Sequence, residues 1–245
     1  MTRCRLIVDE PNTGVWNMAA DEFLLQSTDA TSSPTLRLYG WSEPTLSLGY
    51  FQKLAEREQH VASSRCPLVR RHSGGGAIVH DHELTYSLVV PGTPRWATST
   101  SDLYDVIHQS LRDLYNSWAT APDVARLSKQ VEDGPFLCFQ RRAIGDILVG
   151  DSKVTGSAQR RNRNVVLQHG SILLSRSEAA PELPGIQDLI QNTVSFEKAV
   201  KDCKVCLERA LGCEFDECGF DSAENSQIET MANEKFSQAA WNGRR

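Results

Sequence analysis

Several short runs of the chain predict β-strands, and the first two of them, 35–39 and 45–48, alternate apolar and polar residues as half-buried strands do. Runs of this kind cover residues 35–39, 45–48, 66–69, 84–90, 146–149, 153–155 and 165–174. The first two flank a turn-forming segment, 40–44, and are therefore predicted to form a β-hairpin. A second hairpin is predicted where Gly150 and Asp151 make a tight turn between the 146–149 and 153–155 runs.

Other stretches repeat apolar residues at the three-and-four spacing of an amphipathic helix. They cover residues 17–26, 103–118 and 196–211, followed by a last helical segment that ends near Trp241. Asp21 and Glu22 are expected on the polar face of the first helix, which is given a structural role, and Ser101 is expected to cap the second helix. Because strands and helices follow one another without regular alternation, the pattern predicts an α+β fold in which helices layer a sheet.

The length and composition of the chain are those of an ordinary soluble protein. It has 245 residues, of which 40% are hydrophobic and 23% charged, and its sequence contains no repeat or long linker, so we expect a single domain over residues 1–245. The first thirty residues contain no long apolar run, which argues against a secretory signal or a membrane anchor. We therefore expect a cytoplasmic protein that has no membrane partner.

Seven cysteines, an odd number, are spread from Cys4 to Cys218. Since a chain of this length builds its own core, free thiols fit this number better than a disulfide framework. Four of them are close enough in sequence to suggest a zinc site: Cys203, Cys206, Cys213 and Cys218. However, the helical period of the segment already brings Cys203 beside Cys206, and we assign no metal site.

The net charge is -5, but the basic residues are clustered. The clusters are Arg70 with Arg71, Arg141 with Arg142, and Arg160 and Arg161 with Arg163. Nucleic acid is not expected as a partner, because nucleic-acid-binding chains are usually more basic. A local basic rim suits an anionic ligand such as a nucleotide phosphate or an acidic carrier protein, although ordinary solvated loop charge explains the clusters equally well.

Three successive glycines, Gly74 to Gly76, stand in the segment 73–80 between two strand-like runs. Glycine is entropically costly there, which indicates that the backbone approaches a ligand chain or wraps a phosphate, with Arg70 and Arg71 neutralising negative charge. The alternative is a plain flexible turn. The segment is not a P-loop, since no Lys-Ser or Lys-Thr follows in frame, and it is not a dinucleotide fingerprint, since a strand follows it.

Three further residues can carry chemistry, and each has a simpler alternative. Lys153 follows a tight turn and precedes small residues, where an ammonium can polarise an acyl carbonyl or stabilise a thiolate, yet most such lysines are solvated. Cys138 stands between two aromatic residues, and a thiolate there can accept and return an acyl group, yet a buried inert thiol is the commoner case. His169 interrupts an apolar strand and is expected to hydrogen-bond without transferring a proton.

Taken together, three segments resemble the signatures of lipoate ligases and octanoyltransferases, in the biotin/lipoate protein ligase superfamily. They are 70–81 (RRHSGGGAIVHD), 153–159 (KVTGSAQ) and 168–171 (QHGS). The resemblance extends over nearly the whole chain, from the segments 41–44 and 49–52 to Trp241. It implies an α+β fold with a mixed, mainly antiparallel sheet layered by helices, like the catalytic domain of class II aminoacyl-tRNA synthetases and biotin ligases.

The loop cysteine makes the chain most similar to octanoyltransferases of the LipM type. This resemblance implies that Cys138 takes octanoyl from acyl carrier protein as a thioester, and that Lys153 favours the thiolate and orients the carbonyl. A lysine of the glycine cleavage H protein or of an E2 lipoyl domain then attacks, and no cofactor is needed. The residues that the resemblance implies for substrate binding are Arg71, Ser73, Gly74, Gly75, Gly76, Ala77, Ile78, Val79, His80, Gly156, Ser157, Ala158, His169, Gly170, Ser171 and Ile172.

Two alternatives stay open. In an ATP-dependent lipoate ligase, which uses ATP and Mg, the same glycines and Lys153 hold an acyl-adenylate, and Cys138 is incidental. The lack of an extra C-terminal domain favours the transferase over this ligase. The second alternative is a protein that binds an acyl group or a carrier in the same pocket but catalyses no reaction. The presence of both Cys138 and Lys153 argues against this hypothesis.

Overall fold

The computed structural model describes residues 2–92, 100–121, 123–190 and 192–244. Within them lie the strands β1 (Thr2–Val8), β2 (Thr35–Tyr39), β3 (Thr45–Leu48), β4 (Leu68–Arg70), β5 (Ile78–His80), β6 (Glu83–Pro91), β7 (Ala125–Leu127), β8 (Ile147–Val149), β9 (Ser152–Asn162), β10 (Val165–Leu173) and β11 (Cys213–Glu217). The helices are α1 (Gly14–Ser27), α2 (Thr100–Trp118), α3 (Ile186–Ile190), α4 (Phe196–Leu211), α5 (Ser222–Met231) and α6 (Ala239–Asn242). Leu54–Gln59 and Cys138–Gln140 form 3₁₀ turns, and Ala232–Phe236 forms a π-helical turn.

Eight strands form a large sheet in the order β11-β1-β2-β6-β10-β9-β8-β7. β1 runs parallel to β11 and to β2, whereas the other neighbours in this sheet are antiparallel. A second sheet has the order β4-β3-β5. The expected α+β fold with a mixed, mainly antiparallel sheet is confirmed.

The central strands β6 and β10 are buried along their whole length, and the two faces of β6 differ in chemistry. On one face, Tyr86 and Leu88 belong to the main apolar core, which they share with residues of α2 and α4. Because side chains alternate along a strand, the other face carries Thr85 and Ser87, which are also buried. Buried polar side chains need hydrogen-bond partners, and the candidate site lies on this polar face.

The helices α2 and α4 pack against each other over the apolar face of the large sheet. In α2 the buried residues Leu103, Ile107 and Leu111 recur every fourth position, which confirms the predicted helix. This helix begins at Thr100, so Ser101 lies inside it and is not its cap, contrary to expectation. Among the described residues, no helix is both long and apolar enough to span a membrane.

The predicted hairpin of 35–39 and 45–48 is wrong. β2 pairs with β1 and β6 in the large sheet, whereas β3 pairs with β4 and β5 in the small sheet. Each of these strands has a neighbouring strand on both sides, and every residue of β2 and β3 is buried. A short alternating run does not reveal which strands will be its neighbours. The segment 40–44 is therefore a crossover between two sheets. The other predicted hairpin, β8 and β9 joined at Gly150, is confirmed.

The first helix, α1, is longer than predicted and is not amphipathic. It spans Gly14–Ser27, and its acidic residues Asp21 and Glu22 are both buried. Asp21 forms an ion pair with Arg37 at 3.1 Å, and Glu22 forms one with Lys235. Both partners come from distant segments, so the local pattern does not show that these acids face inward.

The C-terminal segment folds back onto α1 and the small sheet. Ile228 and Phe236 are fully buried in the apolar cluster that contains Phe23 of α1. The indole N–H of Trp241 donates to the carbonyl of Arg70 at 2.8 Å. The predicted last helical segment is confirmed, and it packs against β4.

Candidate active site

A pocket lies between the glycine run and the strands β9 and β10. Its lining includes the following predicted binding residues: Arg71, Gly74, Gly75, Ile78, His80, Gly156, Ser157, Ala158, His169, Gly170 and Ser171. Cys138 also lines it. The sequence pattern missed Met18, Tyr39, Thr85 and Phe139, because their segments show only the ordinary patterning of a helix, strands and a loop.

The remaining predicted binding residues lie behind the pocket wall. They are Ser73, Gly76, Ala77, Val79 and Ile172. Ala77 and Val79 pack in the apolar core beside the small sheet, and Ile172 packs in the main core. Gly76 packs against the backbone of Cys138, since a β-carbon on this glycine would lie 3.1 Å from Cys138 N. These residues shape the wall and do not face the pocket.

The adjacent arginines Arg70 and Arg71 lie inside the protein and form no surface rim. Arg70 is fully buried and Arg71 is 3% exposed. The Arg71 guanidinium donates to the carbonyl of Ser47 at 3.1 Å. It also donates to the carbonyls of Gly74 and Gly76, each at 2.7 Å. The expectation of a surface role for this pair is wrong, because the carbonyls of a tightly turned loop need buried donors.

The glycine run is tightly packed against a neighbouring backbone segment. A β-carbon on Gly49 would lie 2.0 Å from the carbonyl oxygen of Gly75. Gly75 itself has a φ of 94°, a conformation that favours glycine. The run is therefore a close-packed wall of the pocket and not a loose turn.

Cys138 and Lys153 meet at one side of the pocket. The N–H of Cys138 donates to the carbonyl of Ala77 at 2.7 Å, which anchors the start of the 3₁₀ turn. Lys153, on β9, is 6% exposed, and its Nζ lies 3.7 Å from Cys138 Sγ and 3.4 Å from Cys138 O. Lys153 is therefore not a solvated lysine, and Cys138 faces the pocket. The Lys153 ammonium therefore lies within reach of both the thiol and the backbone carbonyl of Cys138.

Asp146, whose segment predicted only a strand, holds Lys153 in place. Its Oδ2 lies 2.7 Å from Lys153 Nζ, and the two side chains are 2% and 4% exposed. The N–H of Ala143 donates to the same oxygen at 2.7 Å, and the hydroxyl of Tyr104 donates to Oδ1 at 3.2 Å. Burial and the nearby Asp146 charge raise the pKa of Tyr104, so the phenol stays protonated as a donor. Lys153 is thus a buried ammonium with a buried counter-ion.

His169 lies in a buried chain of hydrogen bonds that begins on α1. Its Nδ1 is 3.0 Å from Asp21 Oδ2, and its Nε2 is 2.6 Å from Ser73 Oγ. Burial raises the pKa of Asp21, but the hydrogen bond from His169 and the charge of Arg37 outweigh it, so the pKa is lowered overall. The Asp21 carboxylate accepts from the Nδ1–H of His169, and Ser73 Oγ is hydrogen-bonded to Nε2. Both ring nitrogens are therefore engaged inside the protein.

His80 forms a second polar cluster on the pocket wall. Its ring stacks on Trp41, with centroids 3.9 Å apart and planes within 9°, and its Nδ1 lies 2.9 Å from Glu83 Oε1. Trp41 Nε1 donates to Thr85 Oγ1 at 2.9 Å, and Thr85 donates to Glu83. The cluster ties β5 of the small sheet to β6 of the large sheet at the pocket wall, where His80 and Thr85 are part of the lining.

Comparison with known proteins identifies the family to which the chain belongs. The profile of the lipoyl protein ligase A/B catalytic domain matches residues 13–206. The chain belongs to the lipoyl protein ligase A/B catalytic domain family. It is 30% identical over 280 residues to octanoyltransferase LipM from Halalkalibacterium halodurans, with 100% of both chains covered. It is 32% identical over 278 residues to octanoyltransferase LipM from Kyrpidia tusciae, again with 100% of both chains covered.

Solved structures of the lipoyl protein ligase fold superpose on this family member over almost its whole length. A lipoate-protein ligase A bound with ATP has a TM-score of 0.78 and 20% identity, and covers 99% of each chain. A bi-partite lipoate protein ligase from Thermoplasma acidophilum has a TM-score of 0.77 and 21% identity, and covers 99% of this chain and 97% of that one. The sequence relatives show that this family member is an enzyme, an acyltransferase.

This lipoyl protein ligase family member carries a basic aromatic face beside its pocket, formed by Tyr50, Phe51, Arg160 and Arg244. Phe51 is 65% exposed, and its ring lies 3.9 Å from the position of a β-carbon on Gly74. The guanidinium of Arg160 lies 5.8 Å from the ring centroid of Tyr50, and that of Arg244 lies 4.5 Å from it. Part of the basic rim that the sequence predicts is therefore present, and it is built from Arg160 and the C-terminal segment.

Proposed function

We propose that the enzyme transfers an octanoyl group from acyl carrier protein to a lysine of a lipoyl domain, in the glycine cleavage H protein or an E2 subunit. The relatives named octanoyltransferase LipM support the octanoyl group. The observation that carries the proposal is the Cys138 thiol at the pocket, 3.7 Å from the Lys153 ammonium.

In the first half of the proposed reaction, the Cys138 thiolate attacks the thioester carbonyl of the octanoyl carrier. The bond from the acyl carbon to Cys138 Sγ forms, the bond to the carrier sulfur breaks, and the carrier leaves as a thiol after taking up a proton. The Lys153 ammonium stabilises the negative charge that develops on the carbonyl oxygen. Asp146 keeps this ammonium in position, because their ion pair is 2.7 Å long and buried.

In the second half, a neutral lysine amine of the acceptor attacks the Cys138 thioester. An amide bond forms, the bond to Cys138 Sγ breaks, and the amine proton leaves with the thiol or to solvent. No nucleotide is consumed in this scheme, because the donor thioester is already an activated acyl group. A lipoate ligase would instead need ATP to activate a free acid.

The pocket supports an extended acyl chain as the ligand. Met18, Tyr39 and Ile78 provide apolar contact surface. Gly170 allows the close approach of Ser157 and Tyr86 in the pocket wall, since a β-carbon on it would lie 2.2 Å from Ser157 Oγ. Each methylene buried in such a pocket is worth about 0.8 kcal/mol. Binding energy therefore grows with chain length until the pocket is filled.

The basic aromatic face supports docking of an acidic carrier protein. It adjoins the glycine run at Gly74, so a carrier bound there lies beside the pocket. Because the whole chain has a net charge of -5, its overall charge does not attract an acidic partner. Such a partner must be attracted by a local cluster of cations. Clustered cations next to a pocket raise the encounter rate with an oppositely charged protein.

The proposed thioester is tested by incubating the enzyme with octanoyl carrier protein, without ATP, and measuring its intact mass. We expect an increase equal to one octanoyl group, reversed by hydroxylamine and abolished in Cys138→Ser. Cys206→Ser is the matched control, because this half-buried thiol lies on α4 and bonds to Ser110, away from the pocket. An unmodified enzyme that attaches free lipoate to a lipoyl domain only with ATP would establish the ligase instead.

A further inference from the structure

Both arginines of the basic aromatic face, Arg160 and Arg244, lie over the same aromatic ring. Their guanidinium carbons are 5.8 and 4.5 Å from the ring centroid of Tyr50. Arg160 belongs to β9, Arg244 follows α6, and Tyr50 lies between β3 and β4. Three distant parts of the chain therefore bring two like charges together at one place.

Ion pairing does not balance these two charges within the residues that the structure describes, since neither Arg160 nor Arg244 has a carboxylate at ion-pair distance there. Lys235 lies 4.1 Å from the ring centroid of Trp241 and is paired with Glu22 at 2.5 Å. The neighbouring lysine is thus neutralised, whereas the two exposed arginines add net positive charge to the face. Like charges gathered in this way repel each other, so the arrangement favours an anionic ligand.

Hydrogen bonds hold the segment that carries Arg244. Trp241 Nε1 donates to the carbonyl of Arg70 at 2.8 Å, and the backbone N–H of Arg70 donates to Asn242 Oδ1 at 2.8 Å. The Trp241 ring packs against Tyr50 with centroids 6.0 Å apart, and the Arg244 guanidinium lies 4.8 Å from the Trp241 centroid. Arg244 therefore starts from a fixed segment, which lowers the ordering cost of binding a ligand.

The basic aromatic face adjoins the pocket that Cys138 lines. The exposed ring of Phe51 lies 3.9 Å from the β-carbon position of Gly74, which is part of the pocket lining. Ala158 also lines the pocket, and it lies two residues before Arg160 on β9, on the same face of that strand. A chain that leaves the pocket on this side therefore reaches the face at once.

Two guanidinium groups beside aromatic rings suit a phosphate. Each guanidinium presents a planar fork of N–H donors that matches phosphate oxygens in pairs. In acyl carrier protein, the arm that carries the acyl thioester is joined to the protein through a phosphodiester. Because this anion is covalently linked to the reacting sulfur, it follows the thioester to the edge of the pocket. The rings of Tyr50 and Phe51 offer apolar surface to the rest of the arm.

We propose that Arg160 and Arg244 bind the phosphodiester of the arm of the donor. The inference rests on the proposed function, because it takes acyl carrier protein as the donor. It gives the basic aromatic face one chemical ligand, a phosphate, in place of a general attraction for acidic proteins. The two half-reactions then differ in recognition, because the lipoyl domain presents a lysine side chain and no phosphate.

The test compares two small donors that differ only in the phosphate, octanoyl-pantetheine and octanoyl-phosphopantetheine. Intact mass follows the rate at which each donor, at low concentration, loads Cys138. We expect the phosphorylated donor to load the parent enzyme about tenfold faster or more, which is the effect of charge-assisted hydrogen bonds. The double substitution Arg160→Gln with Arg244→Gln should remove this advantage. Arg163→Gln is the matched control, because this exposed arginine lies on the turn after β9 and should keep the advantage.

Equal loading of the parent enzyme by the two donors overturns the proposal, and so does an advantage that survives the double substitution. If octanoyl carrier protein loads the double variant slowly although the small donors load the parent equally, the face attracts carboxylates of the carrier and not its phosphate. That result also overturns the proposal.

A binding measurement separates the failure of this inference from the failure of the proposed function. Phosphopantetheine without an acyl group is titrated into the enzyme in a calorimeter. We expect saturable binding that pantetheine does not show and that the double substitution removes. This binding without any Cys138 adduct would reject the proposed function and leave the phosphate site in place. Binding of ATP, but not of phosphopantetheine, would assign the face to a nucleotide and overturn the proposal.

Discussion

The buried ion pair beside Cys138 gives a quantitative prediction for Asp146→Ala. The side chains of Asp146 and Lys153 are 2% and 4% exposed, so removal of the carboxylate leaves a buried ammonium without a counter-ion. Breaking a buried pair in this way costs about 3–5 kcal/mol of unfolding free energy. Lys153→Met should cost less, about 1–3 kcal/mol, because Asp146 keeps its donors Ala143 and Tyr104. The double variant should cost less than the sum of the two.

Urea unfolding of the two single variants and the double variant measures these costs. A loss of this size moves the midpoint of Asp146→Ala down by about 1 M or more. Asp151→Ala is the matched control on the neighbouring hairpin, because its side chain is 91% exposed, and we expect no measurable change. If Asp146→Ala costs no more than Lys153→Met, or no more than the control, the assignment of a buried counter-ion to Lys153 is refuted.

Three further predictions follow from the site. Gly156→Ala should slow octanoyl adduct formation, followed by intact mass, at least tenfold, because the new β-carbon would lie 2.5 Å from Lys153 Cε and 2.8 Å from Lys153 Nζ and so displaces the ammonium that Asp146 holds; equal rates would refute this. Burial lowers the pKa of His72 to about 3 from the ordinary 6.5. Below pH 6.5 the unfolded chain therefore binds a proton at this residue that the folded chain does not bind. The free energy of unfolding falls as the pH falls, because protonation favours the unfolded chain. His72→Phe keeps a ring beside Phe236 and removes the titrating group. It should reduce the pH dependence of the unfolding free energy by about 1.4 kcal/mol per pH unit between roughly pH 6 and 4. Urea unfolding at several pH values measures this slope, and an unchanged slope would contradict the prediction. Arg160→Glu should raise KM for octanoyl carrier protein and leave KM for a small octanoyl thioester unchanged, and a rise for both would argue against docking on the basic aromatic face.

The elements that the sequence predicts correctly are those whose signal is local. The buried positions of α2, from Leu103 to Trp118, recur with a helical period over about four turns, and this pattern is visible without knowing which elements pack against the helix. The hairpin of β8 and β9 is marked by Gly150, whose φ is 57°. Cys138 and Lys153 come from segments fifteen positions apart in the sequence, and the resemblance alone indicated that they meet.

The features that the sequence did not reveal depend on distant partners. Asp21 and Arg37 read as surface charges until the fold buries them against each other at 3.1 Å. Arg71 looks like part of a surface cluster, although loop carbonyls from two segments surround it. Asp146 stands at the start of an apolar strand, and its role depends on a lysine across the hairpin. Charge patterns along a chain do not distinguish a solvated group from a buried pair.

The central claim, that Cys138 carries the octanoyl group on the path to the acceptor, is tested most directly by a chase. The enzyme is loaded with octanoyl from its carrier, the carrier is removed, and a lipoyl domain is added without ATP while both protein masses are followed. The account predicts that octanoyl leaves Cys138 and appears on one acceptor lysine in equal amounts, at least as fast as steady-state turnover. An adduct that persists, while the acceptor stays unmodified, would contradict it.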